Sequence, residues 1–303
     1  MRIVAALGGN ALLRRGEPMT ADAQRRNIGV AVAALSPLVL AGHHLVITHG
    51  NGPQVGLLAL QAASGSAGSA FPLDVLDAES EGMIGYMIEQ ELQNVLPAGR
   101  LVATLLTQIR VDCRDPAFAR PTKPIGPVYG ESEARRLAAD RGWTVAQDGK
   151  GWRRVVASPA PVEILEMRVI EMLVRQGVTV ICAGGGGIPV VQRRDGSLAG
   201  IEAVIDKDLA SALLARMLAA DHLLLLTDVD AVYRQWGTDT AMPIGRVRPD
   251  ELDPREFAEG SMRPKIEAAI GFSNETGRPA SIGRLEDVAA ILAGAAGTTV
   301  WSG

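Results

Sequence analysis

The sequence predicts an α/β fold, a mainly parallel open sheet covered by helices on both faces. Two observations lead there. Apolar, β-branched runs alternate with helical stretches along the 303 residues, and strand–helix–strand alternation is the signature of such a sheet. Hydrophobic residues make up 47% of the chain and aromatics only 4%, so small aliphatics must build the core, which suits helices layered closely on a sheet. Ligands of these folds collect at the carboxyl ends of the strands.

The first run, 3–7, is apolar without alternation, as a strand buried on both faces is. It ends in Gly8, Gly9 and Asn10. A helix is predicted over 21–40, then a strand over 45–48 that ends in Gly50, Asn51 and Gly52, within THGNGPQVG. QAASGSAGSAFP, 61–72, has the composition of a flexible loop, and a helix over 75–95 follows it. After a strand over 101–107, the segment 112–159 breaks the rhythm with Pro and charge. It reads as an inserted flap, a lid, and RGWTVAQDGKGWRRVVASP within it looks like a small hairpin. A helix over 161–176 and a strand over 178–183 lead to a third glycine run, 184–187, in CAGGGGIPVV. The remaining expectations are helices over 206–219, 262–274 and 286–293, and strands over 222–227, 280–282 and 298–301.

The net charge of −4 gives no global field to recruit nucleic acid or acidic lipid, so any anion site must be assembled locally. Cys113 and Cys182 stand in no paired spacing, which argues against a disulfide scaffold or a zinc site and fits a reducing cytosol. No apolar stretch approaches the ~20 residues that span a bilayer. The expectation is a cytoplasmic globule with no nucleic acid or membrane partner.

One glycine turn means little, because tight turns need glycine anyway. Three at the same edge of one sheet suggest backbone N–H groups brought close to an anion. GxxxxGK[ST], a GxGxxG opening the first helix, and the protein-kinase signatures are all absent, which disfavours a P-loop, a dinucleotide fold and a protein kinase. Of the 30 basic residues only four are lysines, Lys123, Lys150, Lys207 and Lys265. In a chain that defaults to arginine, a lysine marks a place for a compact point charge, able to follow a moving phosphoryl group. Lys207 and Lys265 fall at predicted helix starts, where Ser261 is a candidate cap for the second. Lys123 lies between prolines in RPTKPIGPVYG, and Lys150 reads as an ordinary turn residue. In IEAVIDKDLAS, Asp206 reads as an N-cap, and Asp208 as a residue that holds two lysines at fixed spacing through charge-assisted bonds. Alone, such a triplet is a surface cap worth about 1 kcal/mol; beside three glycine clusters, a site is the better reading. His49 reads as a neutral histidine bonded to backbone, and His43, His44 and His222 as structural.

These residues make the chain resemble the carbamate kinases of the amino-acid kinase family over nearly its whole length. GGNALL, THGNGPQVG, ESEGMIGYMIEQEL, PTKPIGPVYG, CAGGGGIPV, IEAVIDKDLAS, LLLLTDVDAVY and GSMRPKIEAAI stand in the family's order. The resemblance implies a three-layer α/β/α sandwich, a small protruding subdomain carrying PTKPIG, and a homodimer. It implies one domain over 1–303, with 1–220 mainly on the acceptor and phosphoryl side, 221–303 mainly on the nucleotide side, and 112–159 as the lid. Lys123, Lys207 and Lys265 would contact the transferred phosphoryl group, and Asp208 would organise the lysines. Gly8, Gly9, Asn10, Gly50, Asn51 and Gly52 would hold carbamate and the phosphoryl oxygens. Thr227, Asp228, Tyr233 and Met262 would house ADP or ATP with Mg²⁺, and no metal ligand set of the protein's own is implied. The implied reaction is ATP + carbamate = ADP + carbamoyl phosphate, run toward ATP in arginine breakdown.

One observation favours carbamate independently: residues 27–99 contain no Lys or Arg. An acceptor with a second anionic group would leave that charge buried without a cation. The rival readings are another small-acid kinase of the same fold and a nucleotide-binding sensor without catalysis. Retention of the three motif lysines counts against the sensor.

Overall fold

The computed structural model describes residues 1–13, 16–64, 71–258 and 260–303, leaving aside the side chains at 10, 63 and 64. The central sheet has eight strands. In chain order they are β1 (Arg2–Leu7), β2 (His44–His49), β3 (Val102–Thr104), β9 (Thr179–Ile181), β12 (His222–Thr227), β15 (Arg246–Val247), β16 (Ala280–Arg284) and β17 (Thr298–Val300). Their spatial order is β15-β17-β16-β12-β1-β2-β9-β3. β1 sits centrally and pairs in parallel with β12 on one side and β2 on the other. Only the β16–β17 pairing is antiparallel. The chain runs outward from β1 in both directions, so the β1/β12 boundary is a topological switch point, where such sheets open a crevice.

Side chains alternate across each strand, and two cores result. Val4, Ala6, Val46, Leu223 and Leu225 face a cluster with Leu213 and Leu214 of α6 (Lys207–Met217) and Ile266 and Phe272 of α7 (Met262–Thr276). Ile3, Ala5, Leu7, Ile47 and Leu226 face the other layer. That layer is built from α1 (Ala21–Leu40), α3 (Leu73–Val95) and α8 (Val288–Leu292). The expected α/β fold with helices on both faces is therefore present.

Several boundaries differ from the expectations. The predicted helix over 161–176 opens instead as strand β8 (Pro161–Ile164), and α5 (Met167–Arg175) starts only after it. β8 is held by β4 (Gln108–Val111), with Ile109 opposite Ile164, a long-range pairing that local pattern does not reveal. The single strand expected over 101–107 divides: β3 ends at Thr104, and the chain re-enters as β4 in a second sheet, order β11-β10-β4-β8, with β10 (Ile188–Gln192) and β11 (Leu198–Gly200). Helix α2 (Gly52–Ser64) overlaps the start of the expected loop at 61–72; of that loop, 65–70 lie outside the described residues. Ser261 occupies the N-cap position of α7 but makes no side-chain capping bond, its backbone standing at φ −132°, ψ −78°.

Within 112–159, a three-stranded sheet forms from β5 (Lys123–Tyr129), β6 (Thr144–Asp148) and β7 (Gly151–Val156), with α4 (Glu131–Arg141) in the crossover. The expected hairpin is β6–β7, turning through Gly149 in the left-handed region at φ +61°. This small sheet meets α2 backbone to backbone: a Cβ on Gly56 would stand 1.9 Å from Gly126 Cα. A further hairpin, β13 (Val232–Arg234) and β14 (Met242–Ile244), follows β12.

Candidate active site

The three glycine turns converge. Gly8 N–H donates to the Leu226 carbonyl (3.0 Å), and Gly50 N–H donates to that of Leu7 (3.1 Å), so the first two turns leave adjacent strands side by side. A Cβ on Gly50 would stand 3.4 Å from both the Gly9 amide nitrogen and Lys207 Cδ. The third turn, Gly184–Gly186, follows β9 through Ala183 in the left-handed region. Cβ atoms added to it would collide with Nε2 of His49 (2.3 Å from Gly184), Nδ2 of Asn51 (2.3 Å from Gly185) and the Ile205 carbonyl (2.2 Å from Gly186). Only glycine permits this approach. Gly9 and Asn10 lie in the short Gly9–Ala11 turn, and Gly52 opens α2; the side chain of Asn10 is outside the described residues. Asn51 is buried, and its amide nitrogen donates to Asp77 (2.9 Å) and to Ser80 (2.8 Å) of α3.

At the N-terminus of α6, lysines and aspartates alternate in a chain. Lys123 Nζ of β5 donates to Asp206 Oδ2 (2.6 Å). The other oxygen of Asp206 accepts the Asp208 N–H (2.9 Å), which is the helix cap. Asp208 in turn accepts from Lys207 Nζ at Oδ1 (2.6 Å) and from Lys265 Nζ at Oδ2 (2.8 Å). Asp208 thus stands between the two lysines, one on each carboxylate oxygen. Asp206 does more than cap, because it also anchors the lysine that arrives from the small sheet. Behind the first turn, Ser211 Oγ donates to the Lys207 carbonyl (2.5 Å) and shares a hydrogen bond with Thr48 Oγ1 (2.6 Å). This fixes α6 against the end of β2.

Burial opposes charge on Asp208, but Lys207 and Lys265 together hold its carboxyl well below the usual carboxylate range. Burial also opposes charge on Lys265, yet its contact with Asp208 outweighs this and raises it above the ordinary lysine value. For Lys207 burial wins: it is pushed down to about 8, with Asp208 resisting and Lys265 adding repulsion. Only the charged lysine attracts an anion, so any such contribution is full below that value and lost as pH rises through it. The kcat/KM for an anionic substrate should therefore show an alkaline limb near pH 8, with kcat falling at higher pH because a bound anion stabilises the ammonium. Rate profiles from pH 6 to 10 with an anionic substrate test this; a kcat/KM flat beyond pH 9.5 would remove Lys207 from anion binding.

The four nucleotide candidates spread over the C-terminal half. Thr227 ends β12 and donates to Asp228 (3.1 Å). Tyr233, on β13, donates to Asp230. Met262 opens α7, which also carries Lys265 one turn on, so this helix joins one of the four candidates to the lysine group. Lys150 is exposed in the β6–β7 turn. His49 is fully buried and pushed down to about 4 by burial, hence neutral, with Nδ1 on the Gly50 carbonyl. His44 meets the Val174 carbonyl and His222 meets Ser281.

Sequence reasoning missed Asp77, Ser80 and Glu81 of α3. All three are buried behind the glycine turns. Burial raises both carboxyls, Glu81 to about 8. Acidic residues in the middle of an otherwise apolar helix face, at 77 and 81, were the available signal.

The amino acid kinase family model matches residues 1–284. Carbamate kinase of Rhizobium meliloti is 55% identical across 100% of this chain and 94% of its own length. That of Haemophilus influenzae is 54% identical across 99% and 96%. Among solved structures, carbamate kinase from Giardia lamblia bound to citric acid superposes with a TM-score of 0.92 at 41% identity, covering 99% of this chain and 98% of that one. The chain therefore belongs to the amino acid kinase family, and within it to the carbamate kinases.

Proposed function

We propose that the lysine–aspartate chain at the three glycine turns transfers a phosphoryl group reversibly between ATP and carbamate. Phosphoryl transfer asks mainly for positioning and charge neutralisation, and three lysines held by two aspartates supply both. Lys123, Lys207 and Lys265 bind the moving phosphoryl group, and Asp208 sets the spacing of the last two. Gly8, Gly9 and Asn10, with Gly50, Asn51 and Gly52, hold the acceptor. Thr227, Asp228, Tyr233 and Met262 border the nucleotide. Mg²⁺ accompanies the nucleotide: an ion bound chiefly through phosphate oxygens and water needs few protein ligands, and among the described residues no group of three His, Cys, Asp or Glu could hold a metal. Carbamate suits the span 27–99, which supplies one of the two acceptor turns, Gly50–Gly52, without a single Lys or Arg. Flux runs toward ATP, consuming carbamoyl phosphate in arginine breakdown. The test is coupled detection of ATP from ADP and carbamoyl phosphate, beside a panel of other acyl phosphates; equal or better turnover of another acyl phosphate would replace carbamate with that acid.

The segment 112–159 acts as a lid that brings Lys123 to the site. Its sheet rests on α2 at Gly56, and its lysine reaches Asp206. Lys123→Ala is expected to bind ADP as wild type does by calorimetry, while KM for carbamoyl phosphate rises and turnover falls. Asp206→Asn should reproduce part of this defect, because asparagine still caps the helix but gives up the ion pair. Loss of ADP binding with normal carbamoyl phosphate handling would move Lys123 to the nucleotide side.

Among the described residues no helix is long and apolar enough to cross a membrane; we place the protein in the cytoplasm. We also propose a homodimer. α3 exposes Met83 and Tyr86, and Leu106, also exposed, lies against Gly82 of the same helix. Apolar surface gathered on one face suits a partner. Light scattering should return twice the 31.9 kDa chain mass; a monomer at micromolar concentration would exclude the dimer.

A further inference from the structure

We propose that Glu81 is a positioning residue for phosphoryl transfer: it clamps the ends of two diverging strands and, through the Gly184–Gly186 turn, sets the place of Asp206 and Lys207. The proposal rests on the reading of that site as the phosphoryl site.

The reason lies in how the sheet opens. β3 and β9 run together as far as Thr104 opposite Ile181, and Leu105 N–H closes the ladder on the Ile181 carbonyl (2.9 Å). Beyond this point the chains part. One continues into β4 at Gln108, while the other bulges out through the turn at Gly184 before rejoining it as β10, with Ile188 opposite Gln108. Thr107 and Gly184 are both buried, and at the fork their N–H groups lose the neighbouring strand that would have accepted them. Buried backbone donors require a partner. Glu81 provides both: Oε2 accepts the Thr107 N–H (3.1 Å) and Oε1 accepts the Gly184 N–H (2.8 Å). Thr107 Oγ1 adds a third tie by accepting the Ala183 N–H (2.9 Å). One carboxyl thus takes over where the ladder stops.

The clamp reaches the lysines by contact. Gly186 lies so close to the Ile205 carbonyl that even a methyl group would overlap it, and Ile205 precedes Asp206 and Lys207. On the same helix Asp77, one turn earlier, and Ser80 hold the side-chain amide of Asn51. A shift of the glycine turn therefore becomes a shift of the α6 N-terminus, and a misplacement of about 1 Å can cost 10²-fold in rate.

Glu81→Gln tests this. It preserves size but offers a single acceptor oxygen, and turns an amide nitrogen toward the second N–H. The kcat/KM for carbamoyl phosphate is expected to fall at least tenfold, while the ADP dissociation constant by calorimetry stays within twofold. Amide exchange at Thr107 and Gly184–Gly186 should accelerate in the unliganded protein. Ile84→Val, a core change on the same helix, should lower Tm without altering these exchange rates or the ratio of the two substrate effects. A kcat/KM within twofold of wild type, an equal loss of ADP affinity, or unchanged exchange overturns the proposal. If Glu81→Gln does not fold, exchange in the wild-type protein decides: Thr107 and Gly184 amides as fast as the exposed β6–β7 turn would refute the clamp, and strong protection supports it. If wild type itself fails to turn over carbamoyl phosphate, the activity reading falls, while the exchange measurements still judge the clamp.

Discussion

Asp208→Asn is expected to lower turnover about 10²–10³-fold, the range seen when a preorganised charge-stabilising group is lost. It should also destabilise the fold. Asp208 is the anion between Lys207 and Lys265, and all three side chains are nearly buried. Breaking a buried ion pair by removing one partner typically costs about 3–5 kcal/mol, because a charge is left uncompensated, and here two cations are left. Thermal melts and turnover should therefore fall together. Added phosphate or carbamoyl phosphate should recover part of the Tm, since a bound anion replaces the missing charge. Turnover within threefold of wild type would remove Asp208 from the centre of the site.

Lys207→Ala and Lys265→Ala should each cost about 10²–10³ in kcat/KM, but with a smaller stability penalty than Asp208→Asn. Each leaves Asp208 with one lysine, and burial already disfavours the charge on Lys207. The double variant should lose less than the product of the single losses, because residues that act as a unit are not additive. Near-normal turnover in both single variants would sink the assignment.

What the sequence made legible was what local pattern encodes. α1 runs from Ala21 to Leu40 as expected, and its Thr20 cap bonds Ala23 N–H. β1, β2 and β9 each lead into their glycine turns. The opening of α2 at Gly52 and Pro53 carried a usable signal, since proline is favoured in a first helical turn. The fork after Thr104 did not. An apolar run looks the same whether it serves one sheet or two, and the β4–β8 pairing depends on a partner more than fifty residues away. The link between Lys123 and Asp206 spans 83 residues and was invisible for the same reason. Asp77 and Glu81 were passed over because helical acids are usually solvated; only the fold shows that they face inward.

The scarcity of lysine turns the molecule into a simple substrate for amine chemistry. Three of its four ε-amines are tied to carboxylates, with side-chain exposures of 25% for Lys123, 11% for Lys207 and 10% for Lys265. Lys150 stands free at the tip of the β6–β7 hairpin. Apart from the α-amino group, a mild acylating dye has one accessible target, at the opposite end of the small sheet from Lys123. A fluorophore fixed there would test whether this hairpin moves, without an engineered cysteine. The slow labelling of the other three amines, and its suppression by bound anion, would then count site occupancy on the same sample.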